Sequence, residues 1–189
     1  MSDIASLEGL AGKRYSLTCF GENSMINNLT SIKAGLALVM LGLLFGIGLG
    51  VTFGINEVLF ETYVTQGIAT HPELHDANSP ERIWRYVQRA HFHATGIAAF
   101  SIGLLLLVSV SSLKQRFKTI TAIFIGLGGC YPLAWFTMFI VAPSIGTDAA
   151  HTHPVTELLT YIGVGGLLLG VAILLANLFL GLFSERNDT

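Results

Sequence analysis

Residues 34–56, AGLALVMLGLLFGIGLGVTFGIN, contain no Asp, Glu, Lys or Arg. The hydrocarbon layer of a bilayer is about 30 Å thick, and an α-helix rising about 1.5 Å per residue crosses it in about 20 residues. The stretch is long enough to span, and its continuous apolar character, without alternation, excludes a barrel strand. Three further runs share the property, at residues 90–113, 119–142 and 158–184. The expected fold is an all-α integral membrane protein with four transmembrane helices in an up-down bundle.

Composition agrees with the four runs. Of 189 residues, 52% are hydrophobic and 12% charged, with a mean hydropathy of +0.64, whereas a soluble domain carries about 25% charged residues. So little charge cannot dress a water-facing surface. A formal net charge of -2 and a pI near 6.3 leave no basic stripe for nucleic acid. The length leaves no room for a large catalytic domain outside the bilayer.

The basic residues sort by segment. Lys13, Arg14 and Lys33 precede the first run, Lys114, Arg116 and Lys118 fill the loop after the second, and Arg186 follows the fourth. Residues 57–89 set Arg82, Arg85 and Arg89 against Glu57, Glu61, Glu73, Asp76 and Glu81, and residues 143–157 hold no Lys or Arg. Cytoplasmic loops are enriched in Lys and Arg. Residues 1–32, the Lys114 to Lys118 loop and the tail 185–189 are therefore expected in the cytoplasm. Loops 57–89 and 143–157 are expected outside, on the periplasmic face of a bacterial-type inner (plasma) membrane, with residues 33–184 as the transmembrane domain. The first run is too long for the core of a cleaved signal peptide and lacks a small-residue cleavage site. Met25, just ahead of Lys33, is the expected physiological start, which would make residues 1–24 non-native. Cys19 and Cys130 are expected at different depths, out of disulfide reach. No Cys-x-x-Cys occurs, which excludes c-type haem attachment and thioredoxin-like chemistry.

Ser79-Pro80-Glu81-Arg82 places a capping hydroxyl before a first-turn proline and an acid favoured by the helix dipole. The second helix is expected to start there, clear of the bilayer. Thr70-His71-Pro72 and Thr152-His153-Pro154 repeat one pattern in both outer loops. Each is followed by span glycines seven residues apart, Gly96 and Gly103, then Gly163 and Gly170. This points to two duplicated helical hairpins.

All six histidines, His71, His75, His91, His93, His151 and His153, fall in the outer loops or at the mouth of a span. Imidazole ligates transition metals and haem iron and carries protons near neutrality. His91 and His93 are two residues apart, about 200° around a helix, and must face different ways. His93 shares a face with Arg82, Arg85, Arg89, Gly96, Phe100 and Gly103 and is expected to point into the bundle, where His151 or His153 would meet it. His71 and His75 are weaker candidates, because Pro72 turns His71 into a cap. The expected cofactor is haem b or a copper or zinc ion. Arg85 and Arg89 are the expected partners of an anionic group, such as a haem propionate, a quinone-like or carboxylate molecule, or a lipid phosphate. No catalytic set is assigned. Plain structural roles stand beside these: a histidine bonding a backbone carbonyl on an adjacent helix, and arginines beside Trp84 and Tyr86 anchoring at the interface.

Gly42, Gly46, Gly50 and Gly54 recur at every fourth position of the first run. Such a row admits a close helix, from the same chain, a homo-oligomer or a membrane-protein partner. Cys130-Tyr131-Pro132 and Trp135-Phe136-Thr137-Met138 combine a proline kink with aromatic core packing, and Asn177 reads as an interhelical hydrogen bond. No Asp or Glu falls in any of the four runs, which counts against an ion-coupled pump. Three functions follow in order of expectation. The first is redox or metal handling at a histidine-lined periplasmic end. The second is a non-catalytic scaffold or accessory subunit docking through the glycine row, and the third is a channel or carrier for a small solute.

Overall fold

The computed structural model describes residues 3–185, and the side chains of residues 29–185. Lys13, Arg14, Cys19, the Met25 start and Arg186 lie outside the described side chains. The elements are α1 (Asp3–Thr70), a 3-10 turn at Pro72–Leu74, α2 (Ser79–Val110), α3 (Gln115–Leu127), α4 (Cys130–Ile145), α5 (Thr147–His151) and α6 (Pro154–Leu180). Four stretches are long and apolar enough to cross a membrane: Leu29–Thr70, Ser79–Val110, Gln115–Ile145 and Pro154–Leu180.

Helix continuity differs from the sequence reading in two places, and α2 starts where expected but with a different cap. The first helix continues past Asn56, which interrupts it with φ -152° and ψ 68°, so much of the expected loop 57–89 is helical. The extension holds because Phe60 and Val64, one turn apart, are both buried. The Phe60 ring lies 6.0 Å from Trp84 and 5.8 Å from Phe139. Glu57 and Glu61 therefore share a helix with the first span, beyond its kink. The third span is not continuous either: it divides at Gly128-Gly129, between α3 and α4. Pro132 then falls in the first turn of α4, where a missing N–H costs nothing. Finally, Ser79 does not cap α2, whose cap position is Asn78. The Ser79 hydroxyl accepts from the Asp76 N–H at 3.0 Å and donates to Asp76 Oδ1 at 2.9 Å. Asn78 N–H and Arg82 reach the same carboxylate oxygen at 3.0 and 2.7 Å. The Ser79 hydroxyl, with the Asn78 amide and the Arg82 guanidinium, holds the Asp76 carboxyl below its ordinary range.

The third span is the hub of the packing. α1 packs on α2 and α3, α2 also packs on α4, and α6 packs on α3 and α4. Glycines make these approaches close. A Cβ added at Gly46 would stand 2.9 Å from Ala94 Cβ, and one at Gly50 would stand 2.7 Å from His91 Cε1. These pairs run in opposite order, so α1 and α2 are antiparallel. Gly163 seats on Tyr131 and Gly170 on Ile125, which makes α6 antiparallel to the third span. Gly42 lies against Gly129. Three glycines of the expected docking row are therefore covered by the chain's own helices, and Gly54 alone of the four faces open space. Gly96 and Gly103 also face open space, unlike Gly163 and Gly170, so positions matched in the sequence pattern do different work.

The two ends of the helices differ in chemistry. At one, the buried Lys118 donates from Nζ to Ser109 O at 2.8 Å, near the C-terminus of α2, where the helix dipole favours a cation. Asn177 makes no helix-to-helix bond there, contrary to expectation, but ties the end of α6 to the non-helical segments beside it: its Nδ2 donates to Leu182 O at 2.8 Å and its Oδ1 accepts from Ser112 Oγ at 3.3 Å. His71, His75, His151 and His153 lie at the other end, in or beside the short elements that join the helices, and His91 and His93 lie midway along α2. Between the ends, large apolar side chains such as Leu41, Leu44, Leu106 and Leu168 are exposed, as lipid contact requires.

Candidate functional site

α2 offers its polar side chains to two different neighbours. His91 turns to α1, where a carbonyl can only accept, so its Nδ1–H donates to Gly46 O at 2.8 Å. The interhelical carbonyl bond considered for His93 is thus made by His91. His93 turns to α4 and donates from Nδ1 to Arg89 O of its own helix at 2.8 Å. Its ring stacks 5.8 Å from Trp135 and meets Tyr131 edge-on at 5.1 Å. One turn earlier, the Arg89 guanidinium lies 4.7 Å from the centre of the Trp135 ring, a cation–π contact. Tyr86, buried one further turn away, shares a hydrogen bond of 3.1 Å with His151 Nε2. His151 also meets Trp135 edge-on at 6.3 Å. Trp135 of α4 is therefore the centre on which Arg89, His93, Tyr86 and His151 pack.

The remaining expected site residues stand apart. Arg85 is exposed and ion-paired with Glu81 one turn away, and Arg82 with Asp76, which leaves Arg89 as the arginine of the cluster. His71 is 3.9 Å from Glu73. His75 donates from Nε2 to Pro143 O at 3.0 Å, with Nδ1 buried and unpartnered. His153 occupies the cap position of α6.

Among the described residues, no group of three or more His, Cys, Asp or Glu side chains could hold a metal ion. The imidazoles of His91, His93 and His151 are each engaged with a separate partner, so the residues present do not fit a shared metal shell. Two carbonyl-fixed rings, His91 and His93, do have the tautomer a metal ligand takes, but they face different helices.

Beside Trp135, between α4 and α6, lies a cleft of about 240 Å³ lined by Tyr131, Trp135, Met138, His151, Thr156, Glu157, Thr160 and Tyr161. Two of its lining residues carry buried polar atoms without a partner, Trp135 Nε1 and Thr156 Oγ1. An unpaired buried donor costs about 1–3 kcal/mol, so it marks either strain or a missing partner. The sequence reading takes Tyr131 and Trp135 as packing residues and does not single out Thr156. The signal that finds them is three-dimensional, because an orphaned donor is defined only by what surrounds it.

No protein-family model, curated protein or solved structure matches this chain.

Proposed function

We propose that this chain is a membrane-embedded binding protein whose site is the cleft between α4 and α6, and that it takes a small amphipathic molecule. The observation that carries the reading is the cleft itself, about 240 Å³, with aromatic walls from Tyr131, Trp135 and Tyr161 and polar groups from His151, Thr160 and Glu157. Ligand sites are concave and largely apolar, with a few placed polar groups, and these residues have that make-up. The Arg89, His93 and Tyr86–His151 contacts brace Trp135 from α2 and α5 and so hold one wall in position.

The alternation of helix directions and the placement of Lys33, Lys114 and Arg116 away from the histidines favour an up-down bundle with the cleft at the periplasmic side of an inner membrane. Among the described residues no group of three or more metal-ligating side chains occurs, which favours an organic ligand over copper or zinc; haem b held by His93 is the alternative that a Soret band would reveal. Docking of a partner through the glycine row loses its argument because Gly42, Gly46 and Gly50 are covered internally.

A ligand that binds the folded state alone raises its stability. Melting of the detergent-purified protein, measured against a neutral carbonyl compound, an alkylammonium and a fatty acid, should rise with at least one of them. The rise should vanish in Thr160→Phe, which fills the cleft. No rise with any class, or a rise that Thr160→Phe leaves intact, refutes the proposal.

A further inference from the structure

We infer that the cleft between α4 and α6 takes an organic ammonium ion, with its cationic head against the aromatic walls and its apolar group toward the lipid. The inference rests on the binding reading above and adds the chemical class. Charge carries it. The cleft is lined by one carboxylate, that of Glu157, and by no Lys or Arg. Glu157 is exposed in the first turn of α6. Glu73 lies beside His71, and Asp76 and Glu81 are each paired with an arginine, whereas Glu157 takes part in no ion pair among the described residues. A cation in the cleft would be its counter-charge.

The walls select the same sign. Tyr131, Trp135 and Tyr161 line the cleft with aromatic rings, and the face of such a ring carries the negative part of its quadrupole, which attracts cations. Trp135 already holds one, since the Arg89 guanidinium lies 4.7 Å from its ring centre. Arg89 and His93, one turn apart, approach that ring from α2, and neither lines the cleft. Glu157 therefore sets a negative charge on the cleft side of Trp135 against the positive charge on the α2 side. The surroundings agree. Residues 57–89 and 143–157 hold seven carboxylates and three arginines, and two of those arginines are spent on Asp76 and Glu81. The surplus of negative charge raises the local concentration of cations.

An anionic ligand would meet Glu157 with no counter-cation in the cleft. The phosphate of a phospholipid headgroup would meet the same repulsion, so a free ammonium compound fits and a phosphocholine or phosphoethanolamine lipid does not. At about 240 Å³ the cleft falls below the range of about 300–1,000 Å³ for whole small-molecule sites, and so it takes the head and leaves the remainder outside. Beside it on α6, Tyr161, Val164 and Leu168 recur at helical spacing on one exposed face. That face is where the apolar remainder lies.

The full chain in a neutral maltoside detergent is titrated calorimetrically with benzyltrimethylammonium, with its uncharged isostere neopentylbenzene and with benzenesulfonate. The cation should saturate and the other two should not. Glu157→Gln should weaken the cation about twofold to fivefold, the effect of an exposed ion pair. Tyr161→Leu should weaken it about twofold to thirtyfold, the range of one cation–π contact. Both side chains are exposed on α6, and circular dichroism checks that each variant keeps its helices. Saturation by the cation with unchanged affinity in both variants overturns the inference. Saturation by the neutral or the anionic probe alone also overturns it, and if Thr160→Phe abolishes that saturation the binding reading stands with another ligand class. If none of the three saturates, the inference falls, and the melting series decides the binding reading separately. Phosphocholine that binds as tightly as benzyltrimethylammonium overturns the choice of a free ammonium compound.

Discussion

Gly163 and Gly165 sit two residues apart on α6 and provide a sharp test of how that helix is seated. A Cβ at Gly163 would lie 2.9 Å from both the Cα and the Cβ of Tyr131 and closer still to its backbone nitrogen. Carbon atoms rest about 3.5–4.0 Å apart, so Gly163→Ala forces α6 off α4 by about 0.6–1 Å at the wall of the cleft. Overpacking of this kind costs about 1–3 kcal/mol. A Cβ at Gly165 meets nothing within 4 Å, so Gly165→Ala has no such cost. Both changes gain the same helix propensity, about 0.8–1.0 kcal/mol, and that gain cancels in the comparison. The Gly163→Ala protein should therefore be about 1–3 kcal/mol less stable than the Gly165→Ala protein, about 5- to 150-fold in the unfolding equilibrium. Reversible unfolding by dodecyl sulfate in mixed micelles, followed by circular dichroism, measures the difference. Equal stability of the two variants, or a less stable Gly165→Ala, would refute the seating of α6 on Tyr131 and with it the shape of the cleft.

Arg85→Gln removes an exposed one-turn ion pair and should change stability by no more than about 0.5 kcal/mol. Arg89→Gln should cost about 0.5–2 kcal/mol through the lost contact with Trp135 and shift the indole emission; equal effects of the two changes count against Arg89 as the arginine of the cluster. The Asp76 carboxyl is held low in the fold, so its contribution is present above the unfolded value of about 3.9 and fades as pH falls through the lower folded value. A carbon-detected titration should place Asp76 below that reference, and Ser79→Ala should bring it back up; a midpoint at or above the reference contradicts the network around it. Protein purified from cells supplied with haem precursor, copper and zinc should carry no stoichiometric metal and show no Soret band. A Soret band that His93→Ala abolishes would reinstate the haem reading.

What the residues declare without coordinates is class and ends. Runs such as 34–56 and 158–184 identify membrane helices because the cost of carrying charge through hydrocarbon is a property of composition, blind to tertiary contacts. The placement of His71, His75, His151 and His153 outside the long apolar runs is read in the same way, from position along the chain alone. Helix continuity beyond Asn56 is hidden, since Glu57 and Glu61 break the apolar run while Phe60 and Val64 hold the helix by packing on partners distant in sequence. The break at Gly128-Gly129 is equally hidden, because the apolar run 119–142 continues across it. Periodicity separates His91 from His93 but cannot say that one meets Gly46 and the other Trp135, because a helical face has no meaning until its neighbour is known. For the same reason the cleft belongs to tertiary structure alone. Tyr131, Trp135 and Thr156 come from two helices, and an N–H or hydroxyl becomes an unmet demand only once folding has removed both water and every other acceptor from its reach.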